Sequence, residues 1–440
     1  MVGQVRARRA VVACASLAGV VGVALTTLTG PAGDTAAADA VLPGRPVVAA
    51  SVTAARASAA AVPAAPAVQD RPVLVVGDSL SHQAADEIVE AFHAAGYSDV
   101  ELAVFGGTTI GWGADRVLER PSRPIVVFSS GTYNLLEGWS ADDQAQAERA
   151  VSVLDERACA IWVVPAARPA NRQVRLALQG SGVHTAEWDV VSQVLPEIHA
   201  ADGIHNTEEG QRLYGQLMAD SARTRCGPVD PATVEGNRRY VAATHDTFLG
   251  RTPTASESEL WTGRLTFGFP RLAFTRTFAT SAEWVDRQVD AVYRQALGRA
   301  ADPTGLAYWR GLIRSGTPLS SVVVELFASD ERWARSGGTA TGWVTGLYRT
   351  LLHRDPDDAG LRHWTGLLAA GVPRRAIARD FHDSLESRRD RVTGLYRSVL
   401  GRRPDAAGRD HWAGALLVID DVRIAAVLAA SDEFFARAQR

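Results

Sequence analysis

"VLVVGDSL", Val73 to Leu80, decides how the chain is read. Four consecutive apolar residues, three of them valine, leave no polar face, so the run reads as a strand buried on both sides, as in a parallel sheet covered by helices. Gly77 ends it, and an acid and a hydroxyl follow at once, Asp78 and Ser79. The next stretch, "SHQAADEIVEAFHAAGY", carries apolar residues at helical spacing and ends at Gly96. A serine at such a junction is either the N-cap of the helix or a nucleophile held outside the carboxyl end of a strand, where open α/β sheets bind their ligands.

The strand has companions. "VELAVF" (100–105), "IVVFSS" (125–130), "AIWVV" (160–164) and "GVHTAEW" (182–188) alternate with helix-type stretches as far as Cys226. The alternation predicts an α/β region, residues 71–226, with a five-stranded parallel sheet and helices on both faces. After Pro228 the pattern becomes helical and repetitive. "VYRQALGRAADPTGLAYW", "LYRTLLHRDPDDAGLRHW" and "LYRSVLGRRPDAAGRDHW" end at Trp309, Trp364 and Trp412, each with a tyrosine sixteen residues earlier and an Asp-x-x-Gly between them. A fourth copy ending at Trp261 keeps Leu249, Gly250 and Arg251 but lacks the aspartate and the glycine. Residues 230–440 therefore read as an all-α region of four repeated units.

At 440 residues and 46 % hydrophobic content the chain can fill ordinary globular cores. Its formal net charge is −3 and every basic residue outside histidine is arginine, which argues against a general nucleic-acid-binding field. Residues 1–40 hold early arginines, an apolar run from Ala10 to Leu28 and an Ala-Asp-Ala end, the layout of a secretory signal; an uncleaved N-terminal anchor is the alternative, and the only membrane attachment expected. Residues 41–70, rich in Ala, Val, Pro and Ser, read as a linker. Cleavage would leave two cysteines, Cys159 and Cys226, which pair in an oxidising compartment or stay as buried thiols.

Ser79 is not alone. "DGIHNTEEG" (202–210) places Asp202 and His205 three apart on one loop before a helix starting near Thr207. In a Ser–His–Asp arrangement the imidazole takes the hydroxyl proton while the carboxylate fixes its tautomer, and a three-residue spacing lets the last two meet without help from the rest of the fold. "GDSL" (77–80), "GGTT" (106–109), "GTYN" (131–134) and "DGIHNTEEG" stand in the order and approximate spacing of the four blocks of the SGNH, or GDSL, hydrolases, which residues 71–226 resemble. The last part also looks like compact SGNH domains associated with O-acetylation of bacterial envelope polysaccharides.

The resemblance implies a three-layer α/β/α, flavodoxin-like domain with Ser79 as nucleophile, His205 as base and Asp202 as its partner. It implies an oxyanion hole built from the N–H groups of Ser79 and Gly106, with Gly107 as the other register, and a third donor. There the sequence departs from the family's Gly-x-Asn-Asp: counted from Gly131, Tyr133 stands where the asparagine belongs and Asn134 falls one residue late, so either the Asn134 amide reaches inward as the third donor, or the Tyr133 hydroxyl substitutes, or the hole has two donors. His82, His93, His184 and His199 lack a carboxylate at useful spacing and read as surface or packing residues. No metal-ligand spacing is present and no cofactor is implied. Asp302, Asp357 and Asp405 read as helix caps rather than calcium ligands, since an EF-hand loop needs denser oxygens. The repeats resemble secreted bacterial helical repeats of undefined function, of the DUF4214 type and distantly like phycobilisome linkers.

The expectation is a secreted or surface-associated serine esterase or O-acyltransferase acting on an acyl ester, with envelope polysaccharide a candidate alcohol and the repeats as a targeting or scaffolding region. The rival is a non-catalytic wall-associated adhesion or scaffold protein with a degenerate SGNH domain.

Overall fold

Every residue of the first strand, β1 (Val73–Gly77), is buried, and its side chains alternate between two separate cores. Val73 and Val75 join Ile125, Val127, Ile161 and Val163 on one face. Leu74 and Val76 join Val126, Phe128, Ala160 and Trp162 on the other. A strand with two apolar faces needs helices on both, which explains the unbroken valine run. The computed structural model of the chain describes residues 71–132, 134, 138–166 and 170–440; the stretches read as a secretory signal (1–40) and a linker (41–70), and Tyr133, lie outside the described residues.

β1 is followed by β2 (Val100–Val104), β3 (Ile125–Ser129), β4 (Cys159–Val163) and β5 (His184–Ala186), all parallel, in the order β2-β1-β3-β4-β5. The first face is covered by α2 (Ala85–Ala94), α6 (Trp188–Val194) and α7 (Glu208–Arg225), through Ile88, Phe92, Val191, Leu213 and Leu217. The second face is covered by α3 (Ile110–Leu118), α4 (Ala141–Asp155) and α5 (Ala170–Ala177), through Ile110, Val117, Ala147, Leu154 and Val174. This is a three-layer α/β/α region with the flavodoxin-like strand order. The stretch read as one helix after β1 is two, α1 (Ser79–Gln83) and α2, with Ala84 out of helical geometry between them (φ −94°, ψ 20°). Leu80 and Ala84 are both buried in the core, so the chain follows the sheet rather than one straight axis.

Cys159, the first residue of β4, is disulfide-bonded to Cys226, the C-cap of α7, with the Cα atoms 5.5 Å apart. Arg71 donates to the Cys226 carbonyl at 2.8 Å. Both contacts pin the end of α7 at the amino edge of the sheet, so α7 runs antiparallel to the strands and its N-terminus rises to their carboxyl edge.

The helical half repeats one set of contacts. A long helix ends in a residue of positive φ, Gly250, Gly298, His353 or Gly401, and the arginine after it reaches a glutamate about thirty residues on. The pairs are Arg251–Glu283 at 3.0 Å, Arg299–Glu331 at 2.8 Å, Arg354–Glu386 at 2.7 Å and Arg402–Glu433 at 2.7 Å. Asp302, Asp357 and Asp405 each cap the next helix by accepting the glycine N–H three residues later, at 2.9, 2.6 and 2.7 Å. That glycine is needed because a Cβ at Gly305 or Gly360 would strike the hydroxyl of Tyr293 or Tyr348. Trp412 donates to the hydroxyl of Tyr396 at 3.1 Å, and Tyr348 and Trp364 both pack on Phe381. In the first unit His245, Thr254 and Glu257 stand in place of Tyr, Asp and Gly, and Glu257 takes up Arg251 at 2.9 Å.

The last unit returns to the first. Tyr240 donates to the carbonyl of Ala429 at 2.9 Å and Thr275 to that of Ala426 at 2.8 Å. The sheet half and the helical half share one contiguous core in which Trp188, Ile198 and Tyr214 belong with Phe274 and Phe278. Arg264–Glu187 and Arg423–Glu197, both at 3.0 Å, close the seam. Among the described residues no helix is long and apolar enough to cross a membrane.

Candidate active site

The carboxyl edge of β1 is where the chain must turn from strand to helix in two residues. Gly77 allows it, since a Cβ there would collide with Ser81. Asp78 is 1 % exposed. Its Oδ1 accepts the Leu80 N–H at 3.2 Å and starts α1, and its Oδ2 accepts the Thr132 N–H at 2.9 Å. Burial pushes its pKa up against the pull of those hydrogen bonds. Asp78 thus ties the turn after β1 to the loop after β3. These neighbouring strands are the ones whose connections leave in opposite directions, the position where such sheets open a crevice.

Ser79 begins α1 with a half-buried side chain, and neither its hydroxyl nor its backbone N–H has a partner among the described residues. The N–H of Gly106, just past β2, is equally without an acceptor. The two sites adjoin: a Cβ placed on Gly106 would stand 3.9 Å from the Ser79 Cβ. A hydroxyl flanked by two unused backbone donors can hold an oxygen that gains negative charge. Gly107 has φ +72°, which favours glycine.

Asp202 and His205 meet on the loop that enters α7. Asp202 Oδ2 lies 2.7 Å from His205 Nδ1, while Oδ1 accepts the N–H groups of Ile204 and His205, both at 3.0 Å. The Ile204 N–H, then the His205 side chain, then the His205 N–H hold the Asp202 pKa down to about 2. An ionised carboxylate against Nδ1 sets the neutral imidazole with its proton there and leaves Nε2 as the base. The loop is braced from below: His199 bridges Asn206, Ala200 N–H donates to His205 O at 2.7 Å, and Thr207 N–H donates to Ile198 O at 2.8 Å. Thr207 caps α7. Because α7 starts at the carboxyl edge, Ser79 and His205 stand on the same edge of the sheet. No hydrogen bond joins them in this structure.

Asn134 is held by two neighbouring elements. Its Oδ1 accepts the Ile110 N–H at 3.0 Å and its Nδ2 donates to Asp143. The amide is 6 % exposed and clamps the loop after β3 to α3 and α4, leaving one of its N–H groups unassigned. Burial pushes Asp143 up, but hydrogen bonds from Ser140 and Asn134 outweigh it and its pKa falls. His199 packs edge-on to Trp188, and burial lowers its pKa. Among the described residues no group of three or more His, Cys, Asp or Glu side chains is placed to hold a metal ion.

Sequence reasoning did not find the polar layer packed against Gly77. Ser81 donates to Ser129 at 3.1 Å, and Ser129 is hydrogen-bonded to Tyr214 from α7. Burial, then the nearby charge of Asp78, raises the Tyr214 pKa. The one available signal was the pair of serines, Ser129 and Ser130, that closes an otherwise apolar strand.

Three stretches, residues 285–336, 324–391 and 387–438, match the family model of a domain of unknown function, DUF4214. The unit around Trp261, where Tyr, Asp and Gly are replaced, lies outside them. No curated protein matches the chain. Among solved structures, the C-terminal catalytic domain of peptidoglycan O-acetyltransferase A from Streptococcus pneumoniae, determined with a methylsulfonyl adduct, is similar at 18 % identity. The match covers 36 % of this chain and 94 % of that one, with a TM-score of 0.30.

Proposed function

We propose that the protein is an exported serine acyl-ester hydrolase or O-acyltransferase. The observation that carries this reading is the Asp202–His205 pair, with its carboxylate fixed by two backbone N–H groups on the sheet edge where Ser79 stands beside two unused donors. The Ser79 Oγ bonds to the acyl carbon and its proton passes to His205 Nε2. The N–H groups of Ser79 and Gly106 hold the oxyanion. Its collapse breaks the ester C–O bond, and the leaving alkoxide takes the proton from Nε2. Water, losing a proton to the same Nε2, then bonds to the acyl carbon, the bond from that carbon to Ser79 Oγ breaks, and Oγ takes the proton back from Nε2 as the acid leaves; a sugar hydroxyl in the place of water gives a new ester. The Ser79–His205 hydrogen bond forms as substrate seats, since such contacts are often open in unliganded sites. Asn134 contributes through its remaining N–H.

The second reading is a wall-associated scaffold with an inactive site, favoured by the engagement of Asn134 with Ile110 and Asp143. The full chain and its Ser79→Ala variant are to be treated with a fluorophosphonate and the modified peptide located by mass spectrometry, alongside turnover of triacetin. Labelling at Ser79 with turnover lost in the variant supports the enzyme. Equal rates in both proteins with Ser79 unmodified leave the scaffold.

A further inference from the structure

A cavity of about 290 Å³ opens in the seam between the two halves. Arg225, the last residue of α7, lines it from the sheet half, and the helix Ala255–Thr266 lines it from the helical half through Leu260, Gly263 and Arg264. Two guanidinium groups therefore border one space, and they are used differently. Arg264 closes on Glu187, Nε to Oε2 at 3.0 Å and Nη2 to Oε1 at 3.2 Å. Arg225 makes no hydrogen bond and no ion pair among the described residues. Its Nε is buried without an acceptor, and its Cζ sits 3.7 Å from the centroid of the Phe267 ring. A guanidinium stacked by its face keeps its N–H groups in plane at the edge, where they form the fork that takes a carboxylate. Burial lowers the Arg225 pKa, and the charge of Glu187 offsets this only in part.

The occupant follows from the rest of the lining. Arg225, Arg264 and Glu187 are the charged residues of the wall, two positive against one negative, so the space carries one unmatched positive charge. A monoanion balances it, whereas a phosphate dianion would bring surplus negative charge up to Glu187. Beyond the guanidinium groups the wall is largely apolar: Leu217 and Phe269 are buried, Phe267 is partly buried and Leu260 is 51 % exposed. The space is open on the helix side as well, since a Cβ built on Gly263 would meet no atom within 4 Å. One anion-binding fork set in a concave apolar wall suits a small organic acid.

We propose that this seam cavity binds a small monocarboxylate with an apolar body, its carboxylate on the Arg225 fork and its hydrocarbon against Phe267, Phe269 and Leu260. The site does not rest on the reading of Ser79 as a nucleophile. Because both halves line it, a bound acid also tightens the seam. The test titrates the full chain calorimetrically with acetate, isovalerate and phenylacetate, and with benzyl alcohol, phenethylamine and inorganic phosphate. Isovalerate or phenylacetate should bind saturably, at least about tenfold tighter than acetate, the alcohol, the amine or phosphate, and should raise the unfolding midpoint. Arg225→Gln should weaken that binding about tenfold or more, and Arg225→Lys, which keeps the charge without the fork, by less. Gly263→Leu puts a side chain into the cavity from a helix that prefers leucine to glycine. It should abolish binding without lowering the midpoint, which keeps the test decisive even if Arg225→Gln folds poorly. No saturable binding by any of the three acids, equal binding of benzyl alcohol, or unchanged affinity in Arg225→Gln or Gly263→Leu overturns the proposal. Phosphate bound more tightly than every acid overturns it too, by removing the monoanion.

Discussion

The sheet half and the helical half use the same polar chemistry to different ends. In the repeats, an arginine after a positive-φ residue, an aspartate cap and a glycine under a tyrosine recur, and each makes the same contact wherever it recurs. At the carboxyl edge of the sheet nothing recurs: Asp78, Ser79, Gly106, Asp202 and His205 each occupy a unique position, and the Ser79 hydroxyl and the N–H groups of Ser79 and Gly106 have no partner among the described residues. A group that is needed at every repeat is holding repeats together. Unused hydrogen-bonding capacity concentrated at one place, on rigid strand ends, is what a reacting substrate requires.

That contrast can be broken most decisively at Asp202. Asp202→Asn should lower turnover of acetyl esters on the order of ten-thousand-fold by losing the correct tautomer of His205, with the thermal unfolding midpoint nearly unchanged. Retained activity in a steady-state assay would mean that the loop pair is no different from the structural pairs of the repeats.

The shared core makes a second prediction. Cys226→Ser opens a bond spanning 67 residues, and by loop entropy alone should cost about 4 kcal/mol in denaturant unfolding. Because Trp188 and Ile198 share a core with Phe274 and Phe278, the loss should appear in one transition for both halves. Two separated transitions would show that the seam does not couple them.

Acid should act through buried histidines of the helical half. His382 is 3 % exposed, and burial, then the charge of Arg391, hold its pKa down to about 3. The unfolded chain binds a proton near pH 6.5 that the folded chain refuses, so stability is intact above that pH and falls as pH drops from about 6.5 toward 3, by at most about 1.4 kcal/mol per pH unit. His382→Leu should flatten this limb in unfolding midpoints measured across pH. His245, lowered in the same direction by burial, should leave a residual slope. An identical slope in the variant would refute the assignment.

The smallest effect is expected at a recurrent pair. Arg354 and Glu386 are each more than two-fifths exposed, so Arg354→Ala should cost less than about 1 kcal/mol, and less still in high salt. A larger loss would mean that stacking of Arg354 over Tyr348, at 4.8 Å, matters more than the charge.

The valine run at 73–76 was enough to read a buried parallel strand, and the Tyr-to-Trp spacing was enough to read the repeats, because both rest on local periodicity. The Asp202–His205 geometry was legible for the same reason: three residues on one loop. The partners of Asn134 were not legible, because a side-chain amide's direction depends on what else competes for it, and Ile110 and Asp143, from two other elements, engage it. The seam between the halves, the return of the last unit onto the first, and the Ser81–Ser129–Tyr214 layer were beyond the sequence. By itself the sequence determined which segments are strand or helix and which residue types could do chemistry. Only the tertiary structure decided which of them meet, because those contacts join residues tens to hundreds of positions apart, and packing, not local preference, brings such residues together.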